Sequence, residues 1–221
     1  MKSLGNETNQ NDEYEKKIES FFLNDLKKIK NPNVIEFGVR NGISTKKIIK
    51  ICEENQGFLH AVDNEDCSKV SNSSSWQFHF CRDDDFEYLD KVFDFSVDLI
   101  YLDSFHEAKH VEKIFYHYYP LLKTGGLFIF DDISWLPYLK NKKRNNFNCE
   151  INNSETFIKI LEIFSCNEDK FELSFNFNGS GLAKIKKISD DKLSESKKLI
   201  LRGFSLKNMI RKILISMNIK F

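Results

Sequence analysis

The residues of this chain best suited to chemistry come in five short polar clusters, each placed after an apolar run. They are Glu36-Phe37-Gly38-Val39-Arg40-Asn41-Gly42-Ile43-Ser44, Asp63-Asn64-Glu65-Asp66, Arg82-Asp83-Asp84-Asp85, Asp103-Ser104-Phe105-His106 and Asp131-Asp132. One such cluster is what any polar loop looks like. Five in succession, most of them acidic, point to one rim built to grip a ligand. Gly38 and Gly42 are spaced G-x-x-x-G, which differs from the G-x-G-x-x-G of dinucleotide enzymes, and no phosphate-loop lysine follows. A glycine just after a strand lets backbone approach a ligand closely, and Ser44 at a helix start offers donors to a carboxylate or phosphate. A tight turn with no ligand stays open at this point. Asp63, 27 residues after Glu36, stands where a carboxylate can accept both hydroxyls of an adenosine ribose.

These clusters need a scaffold that brings them to one edge, and the hydrophobic pattern supplies it. Tyr14, Ile18, Phe21, Phe22, Leu26 and Ile29 recur at helical steps until Asn31-Pro32-Asn33 stops them. Strands are then predicted at 33–37, 58–62, 76–80, 97–102 and 127–130, with helices at 43–52, 84–92 and 107–122 between them. Continuous apolar strands separated by helices predict a parallel sheet covered on both faces. Thr124-Gly125-Gly126 reads as a break before the fifth strand. Farther on, Ser154 reads as the N-cap of a helix over 154–164. Two strands, 171–177 and 182–188, flank Asn178-Gly179-Ser180-Gly181 as an antiparallel hairpin. The expectation is an α/β, Rossmann-like, mostly parallel seven-stranded sheet with helices on both faces and an antiparallel C-terminal hairpin. Residues 1–32 form an N-terminal extension and helix, 33–190 the main domain, and 191–221 a tail. In open sheets of this kind, ligands sit beyond the carboxyl ends of the strands, where the clusters fall.

The stretches VIEFGVRNGIST and AVDNED resemble the first and the ribose-binding motifs of the class I S-adenosylmethionine-dependent methyltransferases. DLIYLDSFHEAKHVEKIFYHYYPLLKTGGLFIFDDI is similar to the fourth and fifth strand regions of that family, and the resemblance covers about residues 33–133. It implies S-adenosylmethionine as cofactor, held by Glu36, Gly38, Gly42, Ser44, Asp63, Asp83, Asp84 and Asp103. Asp103-x-x-His106 followed by Asp131-Asp132 is similar to the small metal-dependent O-methyltransferases of the macrolide-sugar and catechol type. That narrower resemblance implies Mg²⁺ on Asp103, Asp131 and Asp132, with Asp103 and His106 catalytic and His106 the general base. Catechol-type relatives carry an amide where this chain has Asp132, which leaves the third ligand open. So do bland roles: Asp131-Asp132 could cap the next turn, and His106 could bond backbone. His110 and His117 read as surface or packing residues. Trp135, Tyr138 and the basic run 140–144 fall where relatives build a substrate lid. The implied reaction is O-methylation of a hydroxyl on a sugar or small metabolite. The alternative is a non-catalytic partner that binds S-adenosylmethionine or a glycan.

Composition sets the outer limits. The chain has 221 residues, 41% hydrophobic and 30% charged, enough for one ordinary domain. The 33 Lys+Arg balance 33 Asp+Glu, which argues against a dedicated nucleic-acid binder. No apolar run reaches the roughly 20 residues of a membrane-spanning helix. The 5 cysteines include no C-x-x-C, and with no visible secretory signal the expectation is a reduced, cytoplasmic protein. Zero net charge hides an asymmetry: residues 191–221 carry eight Lys/Arg against two Asp/Glu, a local +6. Apolar residues interleave with Lys207, Arg211 and Lys212, and Gly203 divides the tail into two short predicted helices. Such a basic amphipathic segment suits the inner face of an anionic membrane, or packing on the domain or a second subunit.

Overall fold

One seven-stranded sheet carries, from edge to edge, the third, second, first, fourth, fifth, seventh and sixth strands of the chain. The computed structural model describes residues 13–135, 147–200 and 205–217, with the backbone alone at 147–149. In chain order, α1 covers residues 13–26, with a π-helical stretch at Glu19–Leu23. There follow β1 (Asn33–Phe37), α2 (Ile43–Asn55), β2 (Phe58–Asp63), β3 (Trp76–Phe80), α3 (Phe86–Val92), β4 (Val97–Leu102), α4 (Ala108–Tyr118), a 3₁₀ turn (Tyr119–Leu121) and β5 (Leu122–Asp131). The second half holds α5 (Phe147–Ser165), β6 (Phe171–Asn176), β7 (Leu182–Lys187) and α6 (Leu206–Ser216). The first five strands are parallel. β7 runs antiparallel to β5, and β6 antiparallel to β7. This is the expected α/β sheet with its C-terminal hairpin.

Alternation along each strand divides the core between the two faces. Ile35, Phe37, Ile100, Leu102, Phe128 and Phe130 meet Ile114 and Phe115 of α4 and Ile160 of α5 on one side. Val34, Leu59, Leu99, Tyr101 and Ile129 meet Ile18, Phe22 and Leu26 of α1 and Ile48 and Ile51 of α2 on the other. The N-terminal helix is therefore part of the sheet's cover. Its Phe22 ring lies 5.1 Å from that of Tyr101.

Three local expectations are corrected. Thr124-Gly125-Gly126 does not break the chain before β5. It lies within the strand as an irregularity, where pairing jumps from Val97↔Leu122 to Leu99↔Leu127 and Gly125 takes φ +86°. Ser154 is an interior residue of α5, which begins at Phe147. In the tail, residues 191–200 are not helical; α6 is a single helix capped by Ser205, whose side chain accepts from the Asn208 N–H. Gly203 lies outside the described residues, as do Tyr138 and the basic run 140–144.

Candidate functional site

The strand order reverses between β1 and β4, and the two chain segments leaving them press together. Gly38 N–H bonds Val62 O at 2.9 Å, and Asp103 N–H bonds Phe37 O at 2.8 Å. Gly38 has φ +95°, and a Cβ there would sit 2.1 Å from the Asp103 carbonyl oxygen. Only glycine fits. Gly42 answers a different need. It is the N-cap of α2 at φ +71°, and a Cβ would meet Val70 at 2.2 Å.

Two cavities open at this switch point. One of about 360 Å³ is lined by residues that include Asp63, Asn64, Glu65, Arg82, Asp83 and Phe105. The other, about 650 Å³, is lined by residues that include Tyr14, Asn41, Ser44, His106, Asp131, Asp132 and Ser180. Gly38, Arg40, Asp103 and Ser104 belong to both. The structure thus brings Gly38, Ser44, Asp63, Asp83, Asp103, His106, Asp131 and Asp132 to the cavities. It does not bring Glu36, Gly42 or Asp84 to either wall.

Each of those three is placed elsewhere for a physical reason. Glu36 is fully buried beneath the turn, where its Oε1 accepts from Ser44 Oγ at 2.5 Å and its Oε2 has no hydrogen-bond partner. Burial pushes its carboxyl up to about 7, held back in part by the Ser44 hydroxyl. Asp84 is held outward by Arg82 at 2.8 Å and Lys113 at 3.2 Å. Those two cations hold its carboxyl down, at about 2. Gly42 supports the turn.

Asp63 is more heavily engaged than a free ribose acceptor. Its Oδ2 accepts the N–H groups of Val39 (2.7 Å) and Arg40 (3.0 Å), and its Oδ1 that of Glu65 (2.9 Å). A carboxylate offers about four lone-pair positions, so one remains. Asp63 pins the glycine turn and can still accept one hydroxyl. Asp83 accepts from Ser104 Oγ at 2.5 Å and lies 2.8 Å from His110 Nε2. His110 is buried against Asp83, so it ties α4 to the cavity floor. His117 stacks on Phe86, ring centroids 3.7 Å apart, and meets Asp90 at 2.7 Å.

The larger cavity holds the chemistry. His106 Nε2 lies 3.6 Å from Asp103 Oδ1 and 3.5 Å from Asp132 Oδ2, between two carboxylates. Asp103 Oδ2 accepts from Tyr14 OH at 2.9 Å, and the Tyr101 oxygen lies 3.3 Å from it with its one hydrogen free to turn to Asp131. Burial first, then Asp131 and Asp132, raise the Asp103 carboxyl well above the usual carboxylate range. Asp131 is heavily engaged: its Oδ1 accepts from Lys17 Nζ (2.7 Å), Ser180 Oγ (3.0 Å) and its neighbour's N–H (2.7 Å). Its Oδ2 accepts from Tyr101 OH (2.7 Å). Lys17 also donates to Ser180 Oγ at 2.9 Å.

This packing decides whether Asp103, Asp131 and Asp132 fit the divalent ion that the sequence resemblance implies. They do not. Asp131 Oδ1 is crowded by three donors and its Oδ2 meets a fourth, and a buried ammonium stands where a second cation would be repelled. Only Asp103 Oδ1 and Asp132 face His106, short of the several oxygens a hard cation needs. Among the described residues, no group of three His, Cys, Asp or Glu side chains is arranged to hold a metal ion.

Sequence reasoning missed Tyr14, Lys17, Tyr101 and Ser180. A signal existed for the first two: Tyr14, Lys17 and Phe21 share one helical face, so a lysine sits in an apolar stripe. Tyr101 hides in an apolar strand, and Ser180 in a turn.

Residues 35–133 match the family model described as a methyltransferase domain. No curated protein matches the chain. Among solved structures, it resembles the MycE methyltransferase of the mycinamycin biosynthetic pathway, in complex with Mg, SAH and mycinamycin VI. Identity there is 21% and the TM-score 0.56, over 81% of this chain and 50% of that one. This chain therefore spans about half the length of MycE. A Staphylococcus aureus protein provisionally described as a caffeoyl-CoA O-methyltransferase is 18% identical, TM-score 0.55, over 80% of this chain and 82% of that one. The SAH-bound Podospora anserina methyltransferase PaMTH1 is 16% identical, TM-score 0.53, over 77% of each. Residues 35–133, under half of the chain, thus resemble a methyltransferase domain, on a sheet of the fold these solved methyltransferases share.

Proposed function

We propose that this chain is an S-adenosylmethionine-dependent O-methyltransferase acting on a hydroxyl of a sugar or other small metabolite. The observation that carries it is the joining of two cavities at Gly38, Arg40, Asp103 and Ser104, with His106 on the wall of the larger. The smaller cavity, with Asp63 and its acidic neighbours, suits the adenosine end of the cofactor. When bound, S-adenosylmethionine supplies an electrophilic methyl group on sulfonium. Gly38 backbone lets it approach the sheet, and Asp63 holds the turn and accepts a ribose hydroxyl.

The larger cavity takes the acceptor. Tyr14, Asn41, Asp132 and Ser180 give it hydrogen-bonding walls suited to a polyhydroxylated compound. His106 Nε2 takes the proton of the acceptor hydroxyl as its oxygen forms the new bond to the methyl carbon, while the carbon–sulfur bond breaks and its electron pair stays on sulfur in S-adenosylhomocysteine. The imidazolium so formed lies between the carboxyl groups of Asp103 and Asp132, whose oxygens, 3.6 and 3.5 Å from Nε2, stabilise it. No step here runs through a metal ion. A binding-only role would leave this base and its two carboxylates without use. A cytoplasmic location fits the supply of the cofactor, and among the described residues no helix is long and apolar enough to cross a membrane.

The test is production of S-adenosylhomocysteine with a panel of glycosides and phenols. The proposal expects turnover on at least one hydroxylated acceptor and its loss in His106→Ala. Turnover retained by His106→Ala would remove the base, and tight cofactor binding with no turnover on any acceptor would favour the binding role.

A further inference from the structure

We propose that Lys17 is the resident cation of this site, standing where metal-dependent relatives use a divalent ion, so that methyl transfer by this chain needs no metal. The part about transfer rests on the function proposed above; the part about the site stands on geometry alone. Lys17 and Asp131 are ion-paired at 2.7 Å, with side chains only 2% and 1% exposed. A charge removed from water to that degree persists only when paired. Lys17 meets Asp131 and Ser180, and its ammonium lies 4.9 Å from the Tyr14 ring centre. Tyr14, one turn earlier on α1, donates to the neighbouring Asp103. One turn of one helix therefore serves two of the three implied metal ligands, one with a positive charge and the other with an O–H. Both donors lie outside the matched residues 35–133, on a helix and not at a strand end. In this role Lys17 is a positioning residue: it fixes the Asp131 carboxylate and cancels its charge.

Calorimetric titration of Mg²⁺ and of Mn²⁺ into the full chain tests the site without any acceptor. No saturable binding is expected in the wild type. Saturable binding that Asp131→Asn abolishes would overturn the proposal. In Lys17→Gln, checked for folding by circular dichroism, the freed carboxylate is expected to create a Mn²⁺ site that the added change Asp131→Asn removes. A folded Lys17→Gln that gains no site would overturn the assignment of Lys17. If that variant does not fold, the wild-type titration still decides. On an acceptor found for the wild type, a chelator is expected to leave turnover within about twofold, and abolition of turnover would contradict metal independence.

A second inference stands on a separate observation, helix α6. None of its residues is buried, and Leu206, Met209, Ile210 and Ile213 are exposed, so no described residue of the domain covers its apolar side. Lys207, Arg211 and Lys212 interleave with them, and residues 196–221 contain no acid. We infer that α6 lies on an anionic lipid surface, apolar side inward and cations toward the headgroups. Co-sedimentation of the full chain with phosphatidylcholine vesicles, with and without phosphatidylserine, tests this. Binding is expected only with phosphatidylserine, weakening with salt and dropping about tenfold or more in Ile210→Asp/Ile213→Asp. No binding to either vesicle would overturn it, as would a dimer in sedimentation velocity that the same two substitutions dissolve.

Discussion

Lys17 and Asp131 are 114 positions apart in sequence and 2.7 Å apart in space. The pair joins the N-terminal helix to the last residue of β5, and its burial sets what a change there must cost. Lys17→Met leaves an unpaired charge in the interior, a change that typically destabilises by about 3–5 kcal/mol. Lys17→Met/Asp131→Leu removes both charges and is expected to recover much of that loss. Urea denaturation of the single and double variants checks this, and equal losses in both would show that the pair is not coupled.

Gly38→Ala places a methyl 2.1 Å from the Asp103 carbonyl at φ +95°. Backbone strain of this kind costs on the order of 1–3 kcal/mol, and relief requires β1 and β4 to part at the cavity. The variant is expected to lose both stability and S-adenosylmethionine affinity. Gly125, with φ +86° and no described residue within 4 Å of a Cβ there, should tolerate alanine with strain alone and bind the cofactor normally. Thermal melts and calorimetry on the two variants separate these outcomes.

Asp63 accepts three backbone N–H groups as well as facing the smaller cavity. Asp63→Ala is expected to weaken S-adenosylmethionine binding by about tenfold or more, since hydrogen bonds to a charged acceptor contribute about 1.5–3 kcal/mol. Unchanged affinity by calorimetry would remove Asp63 from the cofactor site. Asp84→Ala touches only Arg82 and Lys113 and should leave affinity alone.

The buried Glu36 and the half-buried His60 give stability opposite dependences on pH. The Glu36 carboxyl is raised from 4.5 to about 7, chiefly by burial. Between those values the folded state holds the extra proton, so stability falls as pH rises from 4.5 to 7. His60 is lowered from 6.5 to about 4 by burial and by His79. There the unfolded state holds the extra proton, and stability falls as pH drops from 6.5 to 4. Glu36→Gln removes the first effect. It is expected to exceed the wild type by up to about 3 kcal/mol near pH 8 and to match it near pH 4.5. Urea titrations across that range check it; parallel curves for the two proteins would contradict it.

Much of the fold was legible because buried parallel strands read as apolar runs, as Val97–Leu102 does. The strand-end clusters then located the rim, and Gly38, Asp63, Asp103 and His106 all fell on the cavities. Legibility failed where tertiary contacts overrode local signals. Thr124-Gly125-Gly126 has turn composition, yet pairing with β4 resumes beyond it. Asp84 and Asp83 are equivalent in sequence, and only the neighbours Arg82 and Lys113 against Ser104 and His110 tell them apart. The metal set read as three aspartates, with the third left open. What changed its meaning was a lysine from another helix, which no strand-end pattern contains.

The most direct test of the central claim is calorimetric titration of S-adenosylmethionine into the full chain, with and without a chelator of divalent ions. Saturable binding, unchanged by the chelator and weakened in Asp63→Ala, is the expected result. No binding in either condition would contradict the assignment of this chain as a methyltransferase.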